Sequence, residues 1–83
     1  MSIDVVLMSR AGCHLCEIAR DDLAQILPDY GLSARVVDID TDAELVAEYG
    51  ERVPVLLLDG DEHAHFRIDE TALRRALAAR GAC

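Results

Sequence analysis

Aromatic and basic residues are scarce in this sequence. Its 83 residues include no tryptophan, two tyrosines and one phenylalanine, and 16 acidic side chains outnumber 8 basic ones, for a formal net charge of −8. Nucleic-acid binding depends on basic side chains at the phosphates, and single-strand binding adds aromatic stacking. The composition therefore excludes nucleic acid and an anionic membrane surface as expected partners. A protein partner with a basic rim remains compatible with it.

Long hydrophobic runs are also absent. No stretch approaches the roughly 20 apolar residues that span a bilayer, and the first apolar run follows Asp4 rather than the basic region of a signal peptide. We therefore expect a cytoplasmic location. The length and an apolar fraction of 52% fit one small domain over residues 1–83, because a second core would need roughly 50 residues of its own. We expect this domain to be a monomer.

Hydrophobic periodicity predicts seven elements in the order βαβαββα. The expected strands and helices are strands at 3–8, 34–40, 54–58 and 62–68 and helices at 13–27, 41–50 and 70–80. The first helix is expected to end at Pro28, and the second to begin with a capping box of Thr41 and Glu44. Asp69 is expected to cap the third helix. The Asp-Gly pair at 59–60 predicts a hairpin turn.

The composition of the strands predicts their arrangement. The first and third are almost uniformly apolar, as central strands are, whereas the second and fourth carry charged residues, which is typical of sheet edges. A right-handed β-α-β unit places the first two strands side by side and parallel. We therefore predict an α/β fold with a four-stranded mixed sheet in the order 2-1-3-4 and helices on both faces.

Two of the three cysteines, Cys13 and Cys16, lie close together where the first strand gives way to the first helix. In a cytoplasmic protein such a pair is more often catalytic or metal-binding than structural. The unpaired N–H groups and the dipole of the helix start would stabilise a thiolate at Cys13. The spacing allows an intramolecular disulfide, so Cys13 could attack a substrate disulfide and a buried Cys16 could resolve it. The third thiol, Cys83, is expected to be incidental.

Other readings of this stretch are open. Cys13, His14 and Cys16 could offer three metal ligands, although a closed zinc site usually has four and no second cluster is evident. His63 and His65 are expected to be solvated edge residues. An imidazolium at His14 could favour the thiolate, or His14 could be a plain exposed residue. Arg10 could add positive charge near the thiolate, hold an anionic substrate, or be a solvated loop arginine.

Three stretches resemble the short glutaredoxin-like proteins of the thioredoxin superfamily: "LMSRAGCHLCEIARDDL", "VVDIDTDAELVAEYGERVPVLLLDG" and "FRIDETALRRAL". The resemblance runs over residues 3–79 and implies a thioredoxin fold. It also implies a cis bond between Val53 and Pro54, with the backbone before the proline pairing with a bound thiol peptide. The resemblance implies that Val53 and Pro54 contact the substrate and that Asp69 either contacts it or is a plain N-cap; Leu15 is a further expected substrate contact.

The sequence departs from glutathione-using glutaredoxins at two places. His14-Leu15 stands where a proline and a tyrosine are common, and Phe66-Arg67-Ile68 stands where such proteins carry a pair of glycines. Arg10 occupies the place of a glutathione-binding lysine. Without the two glycines, a bound glutathione molecule could not approach the backbone closely at this place. Glutathione is therefore retained only as one candidate reductant or co-substrate.

The sequence therefore predicts a dithiol-disulfide oxidoreductase without a bound cofactor or metal. Cys13 is the expected nucleophile and Cys16 the resolving thiol, with His14 and Arg10 as electrostatic tuning residues. The expected partners are protein or small-molecule disulfides and a thiol reductant or reductase. The alternatives are a metal-binding or metal-delivery module that uses the same cysteines, and a thioredoxin-fold adaptor that docks proteins without turnover.

Overall fold

The computed structural model describes residues 3–81, so Cys83 lies outside the described residues. Within that range the chain forms four strands, three α-helices and two 3₁₀ turns. Their bounds are β1 Val5–Ser9, α1 His14–Ile26, β2 Ala34–Asp38, α2 Ala43–Tyr49, β3 Val55–Leu58, β4 Asp61–His65 and α3 Glu70–Ala79, with 3₁₀ turns at Leu27–Tyr30 and Ile39–Thr41. No helix in this range has the length and apolar character needed to cross a membrane.

The four strands form one mixed sheet in the order β2-β1-β3-β4, which confirms the predicted order. β1 runs parallel to β2 and antiparallel to β3, with Met8 opposite Val55. β3 and β4 form an antiparallel hairpin in which Val55 lies opposite His65, with a bulge between Leu56 and Leu57. The two apolar strands are therefore central, and the two charged strands are the edges.

The hairpin turn is of the type expected for an Asp-Gly pair. Asp59 has φ 51° and Gly60 has φ 86°, and two successive left-handed residues match the right-handed twist of the flanking strands. The Asp59 amide also donates to the Asp4 carbonyl at 2.8 Å. This turn fixes the register of β4 on β3.

Each face of the sheet carries its own apolar cluster because side chains alternate along β1 and β3. On one face, Leu7 and Leu56 pack with Leu23 of α1 and with Leu73 and Leu77 of α3. On the other face, the buried side chains pack beneath α2; this cluster includes Val6, Met8, Ile39, Val55 and Leu57. The helices thus cover both faces, as predicted.

The chain after α1 differs from the prediction that the helix runs to Pro28. α1 ends at Ile26, and Pro28 lies in the first turn of a 3₁₀ helix that closes at Gly31 with φ 68°. Proline is tolerated there because the first N–H groups of a helix have no intrahelical acceptor. Gly31, rather than Pro28, therefore terminates this helical segment.

The capping box predicted for α2 is wrong. Asp42 is the N-cap, and its side chain accepts a hydrogen bond from the Glu44 amide at 2.9 Å. The Thr41 hydroxyl instead donates to the Asp38 carbonyl at 2.8 Å. A 3₁₀ turn over Ile39–Thr41 shifts the helix start by one residue, which sequence spacing does not reveal.

Candidate functional site

Three segments meet at one end of the sheet. β1 ends at Ser9 and leads into the cysteine loop, while β3 begins at Val55, opposite Met8. Pro54 therefore lies beside the carboxyl end of β1. β4 ends at His65, opposite Val55, and the next amide, that of Phe66, donates to the Pro54 carbonyl at 2.9 Å. The cysteine loop, Pro54 and Phe66 thus belong to one end of the molecule.

Cys13 is the N-cap of α1. Its backbone is extended, with φ −95° and ψ 108°, and its Sγ accepts a hydrogen bond from the Cys16 amide at 3.1 Å. Gly12, with φ 74°, provides the left-handed turn that brings the chain into the helix. Hydrogen bonding and the helix dipole both favour negative charge on a group at this position. The sulfur of Cys13 therefore lies where a thiolate is stabilised.

Cys13 and Cys16 form a disulfide, with their Cα atoms 5.2 Å apart. Their environments differ: Cys16 is 2% exposed, whereas Cys13 is only partly buried. Cys13 is therefore the more accessible of the two residues. The asymmetry matches what an attacking thiol and a resolving thiol each need.

His14 and Leu15, between the cysteines, differ in exposure. The His14 side chain is 83% exposed, with its Nδ1 3.9 Å from the Glu17 carboxylate. Leu15 is partly buried. The tuning role of His14 and the substrate contact of Leu15 stay predictions.

Arg10 is already engaged within the protein. Its guanidinium contacts the Asp40 carboxylate, with an Nη2–Oδ1 distance of 2.6 Å, and lies 3.4 Å from the Gly50 carbonyl. The hydrogen bond to Asp40, followed by the charge of Asp40, raises the pKa of Arg10. Arg10 therefore connects the loop before Cys13 to the chain that leads towards Val53. Sequence analysis missed Asp40 as its partner because that contact is non-local.

The segment before β3 has a free backbone edge. The Val53–Pro54 peptide bond is cis in the structure. Pro54 is buried and Val53 is partly buried. Neither the amide nor the carbonyl of Val53 is hydrogen-bonded to another residue of the described chain.

Asp69 caps α3. Its carboxylate accepts a hydrogen bond from the Ala72 amide at 3.1 Å and remains exposed. Glu70, in the first turn, pairs with Arg74 at 3.0 Å. The predicted cap is present, while the predicted substrate contact of Asp69 stays a prediction.

The histidines of β4 do not assemble a metal site with the cysteines. Within residues 3–81, no three His, Cys, Asp or Glu side chains stand together as potential metal ligands. His65 Nδ1 lies 3.4 Å from the Glu62 carboxylate, and the His65 side chain is 46% exposed. His63 is partly buried.

Phe66 is a member of the site that sequence analysis identified only as a replacement for glycine. It follows β4 with φ 64° and lies beside Pro54 through its amide. The available signal was its place in the predicted fourth strand at 62–68, which pairs with the predicted strand that begins at Pro54; in the structure β4 ends earlier, at His65. Its backbone conformation could not be read from the sequence.

The sheet order, with the Cys-x-x-Cys pair at the start of α1 and the proline before β3, defines an α/β protein of the thioredoxin fold. Residues 4–78 match the family model described as Glutaredoxin-like domain (DUF836). The chain belongs to this family.

Comparison with individual proteins agrees with that assignment. An uncharacterised protein of Mycobacterium tuberculosis is 39% identical over 79 residues, covering 89% of this chain and 81% of the relative. A protein of Nitrosomonas europaea solved by solution NMR superposes with a TM-score of 0.81 at 28% identity, covering 92% of each chain. Thioredoxin of Fasciola hepatica has the same fold, with a TM-score of 0.66 at 21% identity over 93% of this chain and 79% of its own. Together with the Cys13–Cys16 disulfide, the family supports a thiol-disulfide redox function in general.

Proposed function

We propose that this protein is a dithiol-disulfide oxidoreductase. The observation that carries the proposal is the Cys13–Cys16 disulfide itself: Cys13 is a partly exposed residue at a helix N-cap, and it is bonded to Cys16, a residue that is 2% exposed. In this proposal Cys13 is the nucleophile and Cys16 the resolving thiol. Family membership supports the same class of chemistry.

The reduction of a substrate disulfide takes two exchange steps. The Cys13 thiolate attacks one sulfur of the substrate, forming a mixed disulfide and expelling the other substrate sulfur as a thiolate. Cys16 then loses its proton and attacks the Cys13 sulfur, forming the intramolecular disulfide and releasing the second substrate thiol. The substrate gains two electrons, and the protein dithiol loses two.

The proposed docking edge is the backbone of Val53. Its free amide and carbonyl can pair with an extended segment that carries the substrate cysteine, as in strand addition at an open sheet edge. Leu15 and Asp69 are the further proposed substrate contacts. Arg10 supports this arrangement by joining the cysteine loop, through Asp40 and Gly50, to the segment before Val53.

The oxidised protein must be reduced again to turn over. Two equivalents of a small thiol such as glutathione could reduce the disulfide and leave as a disulfide themselves, or a reductase could supply the two electrons. The cycle requires no resident cofactor, since the electron pair is carried by sulfur throughout.

Redox titration with thiol trapping tests the proposal. The protein is equilibrated in buffers with graded ratios of reduced to oxidised glutathione, and mass spectrometry follows its oxidation state. We expect reversible two-electron oxidation, with Cys13→Ser unable to form the intramolecular disulfide. After reaction with a disulfide substrate, Cys16→Ser should accumulate a mixed disulfide at Cys13, whereas Cys83→Ser should behave as the parent protein.

Two outcomes would overturn the proposal. Stoichiometric zinc or copper in the purified protein, with no titratable disulfide, would favour the metal-binding module. Substrate binding that is intact in Cys16→Ser but never yields a mixed disulfide would favour a non-catalytic adaptor.

A further inference from the structure

Phe66 adopts a backbone conformation that is unusual for its residue type. Its φ is 64°, a left-handed value that a bulky residue rarely takes. The Arg67 amide donates to the His65 carbonyl at 2.7 Å across it, so Phe66 is the central residue of a γ-turn of the rare, strained form. Strained residues of this kind occur frequently at binding sites, where the surrounding structure holds them in place.

The strained turn is fixed directly to the proposed docking edge. The Phe66 amide donates to the Pro54 carbonyl at 2.9 Å, and Pro54 follows Val53 in the chain. Phe66 is therefore bonded to the residue that directly follows the backbone groups proposed to pair with a substrate. A peptide that pairs with Val53 and extends past Pro54 would come within reach of Phe66.

The ring of Phe66 is both exposed and oriented. It is 44% exposed, one of three large apolar side chains in the described residues that are markedly exposed, the others being Ile18 and Val36. The ring packs edge-on against His65, with centroids 4.8 Å apart and an interplanar angle of 76°. An exposed aromatic side chain that loses little conformational entropy is a favourable contact for an apolar group.

Arg67 adds a positive charge beside Phe66. All eight basic residues of the chain are arginines. Five of them are paired with carboxylates, at Arg10, Arg35, Arg52, Arg74 and Arg80. Arg67 is exposed and makes no ion pair with another described residue. On a chain with a net charge of −8, an unpaired arginine at the docking edge is complementary to an acidic group on a partner.

We propose that Phe66 and Arg67 select the substrate, which is an extended peptide disulfide with an apolar and an acidic residue beside its reactive cysteine. The inference rests on the proposed function and narrows its substrate class. Val53 holds the peptide backbone, Phe66 contacts the apolar side chain and Arg67 pairs with the carboxylate. Glutathione offers carboxylates but no apolar side chain, so it lacks the contact with Phe66.

A set of matched substrates tests this selection. Short peptides with one cysteine are each linked through a disulfide to the same chromophoric thiol, 5-thio-2-nitrobenzoate. The parent peptide has leucine and aspartate beside its cysteine; in the others the leucine becomes glycine or the aspartate becomes lysine. The glutathione conjugate has the same leaving group. The reduced protein attacks the peptide sulfur and expels the chromophore, so the second-order rate constant reports recognition.

We expect the reduced protein to react about fivefold faster with the leucine peptide than with the glycine peptide, because a contact with a single exposed ring removes only part of the leucine side chain from water. Phe66→Ala should abolish this ratio. Phe66→Gly should abolish it too, while relieving the left-handed backbone. Val36→Ala, which removes an apolar side chain of similar exposure on the opposite edge strand, should preserve it.

A second pair of variants tests the preference for an acidic residue in the peptide. We expect the aspartate peptide to react about threefold faster than the lysine peptide at low salt, and less so at high salt, because exposed charges are screened. Arg67→Gln should abolish this ratio. Arg75→Gln should preserve it, since Arg75 is an exposed arginine of α3 that makes no ion pair with a described residue either.

Failure of this inference differs from failure of the proposed function. Equal rates for all peptides and the glutathione conjugate, or preferences that persist in Phe66→Ala, Phe66→Gly and Arg67→Gln, would overturn the selection and leave the redox activity standing. Chromophore release that is no faster for the parent protein than for Cys13→Ser, on every substrate, would overturn the proposed function, and the selection with it.

Discussion

Replacing Asp69 separates a structural role of this carboxylate from a role in substrate binding. Asp69 caps α3 by accepting the Ala72 amide at 3.1 Å. Asp69→Ala removes both the acceptor and the charge. Asp69→Asn keeps an acceptor of similar capping strength and removes only the charge. Any contact that the carboxylate makes with a substrate cation or amine would be weakened in both variants.

The expected loss of stability in Asp69→Ala combines a contribution from the lost cap with a contribution from the lost charge. Loss of an N-cap side chain typically costs about 1 kcal/mol, and a charge near a helix N-terminus contributes about 0.3–1 kcal/mol more. Glu70 keeps a negative charge in the first turn when Asp69 is replaced. We therefore expect the lost Asp69 charge to contribute near the lower end of the range for a charge at a helix N-terminus. Leu73 and Leu77 are fully buried, so the rest of α3 should stay docked. We expect Asp69→Ala to lower the free energy of unfolding by about 1–1.5 kcal/mol.

Urea denaturation measures this loss, and amide hydrogen exchange locates it. Asp69→Ala should lower the urea midpoint without changing the m-value, with faster exchange in the first turn of α3. Asp69→Asn should lose less than about 0.5 kcal/mol, the charge contribution alone. Stability of Asp69→Ala equal to that of the parent would refute the capping argument. If Asp69→Asn remained stable but reacted more slowly with peptide disulfides, the carboxylate would also contact the substrate.

Two further substitutions probe the core and the cysteine loop. Leu73→Ala should lower the unfolding free energy by about 2–5 kcal/mol in urea titrations, because Leu73 is fully buried between helix and sheet. Ala72→Ser, on the exposed side of the same helix, should change it by less than about 0.5 kcal/mol, and equal losses would contradict the assigned packing. Arg10→Gln should leave the equilibrium with glutathione within about twofold, since the Arg10 charge is paired with Asp40. A tenfold shift would show instead that this charge acts on Cys13.

The sheet order could be predicted from strand composition together with the β-α-β unit and the hairpin turn. β1 and β3 are apolar along their whole length, and such strands need cover on both faces, so only central positions suit them. The Asp-Gly pair fixed β4 beside β3 through local turn geometry. Capping residues were less predictable: Asp69 was identified correctly, but a short 3₁₀ turn moved the start of α2 from Thr41 to Asp42. Periodicity averages over a window and does not resolve a shift of one residue.

The candidate site likewise has features that the sequence predicted and features that only the structure showed. The Cys13–Cys16 spacing at a strand-to-helix junction indicates the chemistry because it depends on local geometry. Resemblance of the sequence to glutaredoxin-like proteins also identified Val53-Pro54 as a candidate substrate-docking edge beside the two cysteines. Only the tertiary structure showed that Arg10 binds Asp40 and Gly50, and that Phe66 bonds Pro54 in a left-handed turn. These contacts join segments far apart in the chain, so they depend on how β1, β3 and β4 align in the folded sheet. Local sequence preferences therefore determined the reactive pair, whereas strand register decided which residues surround it.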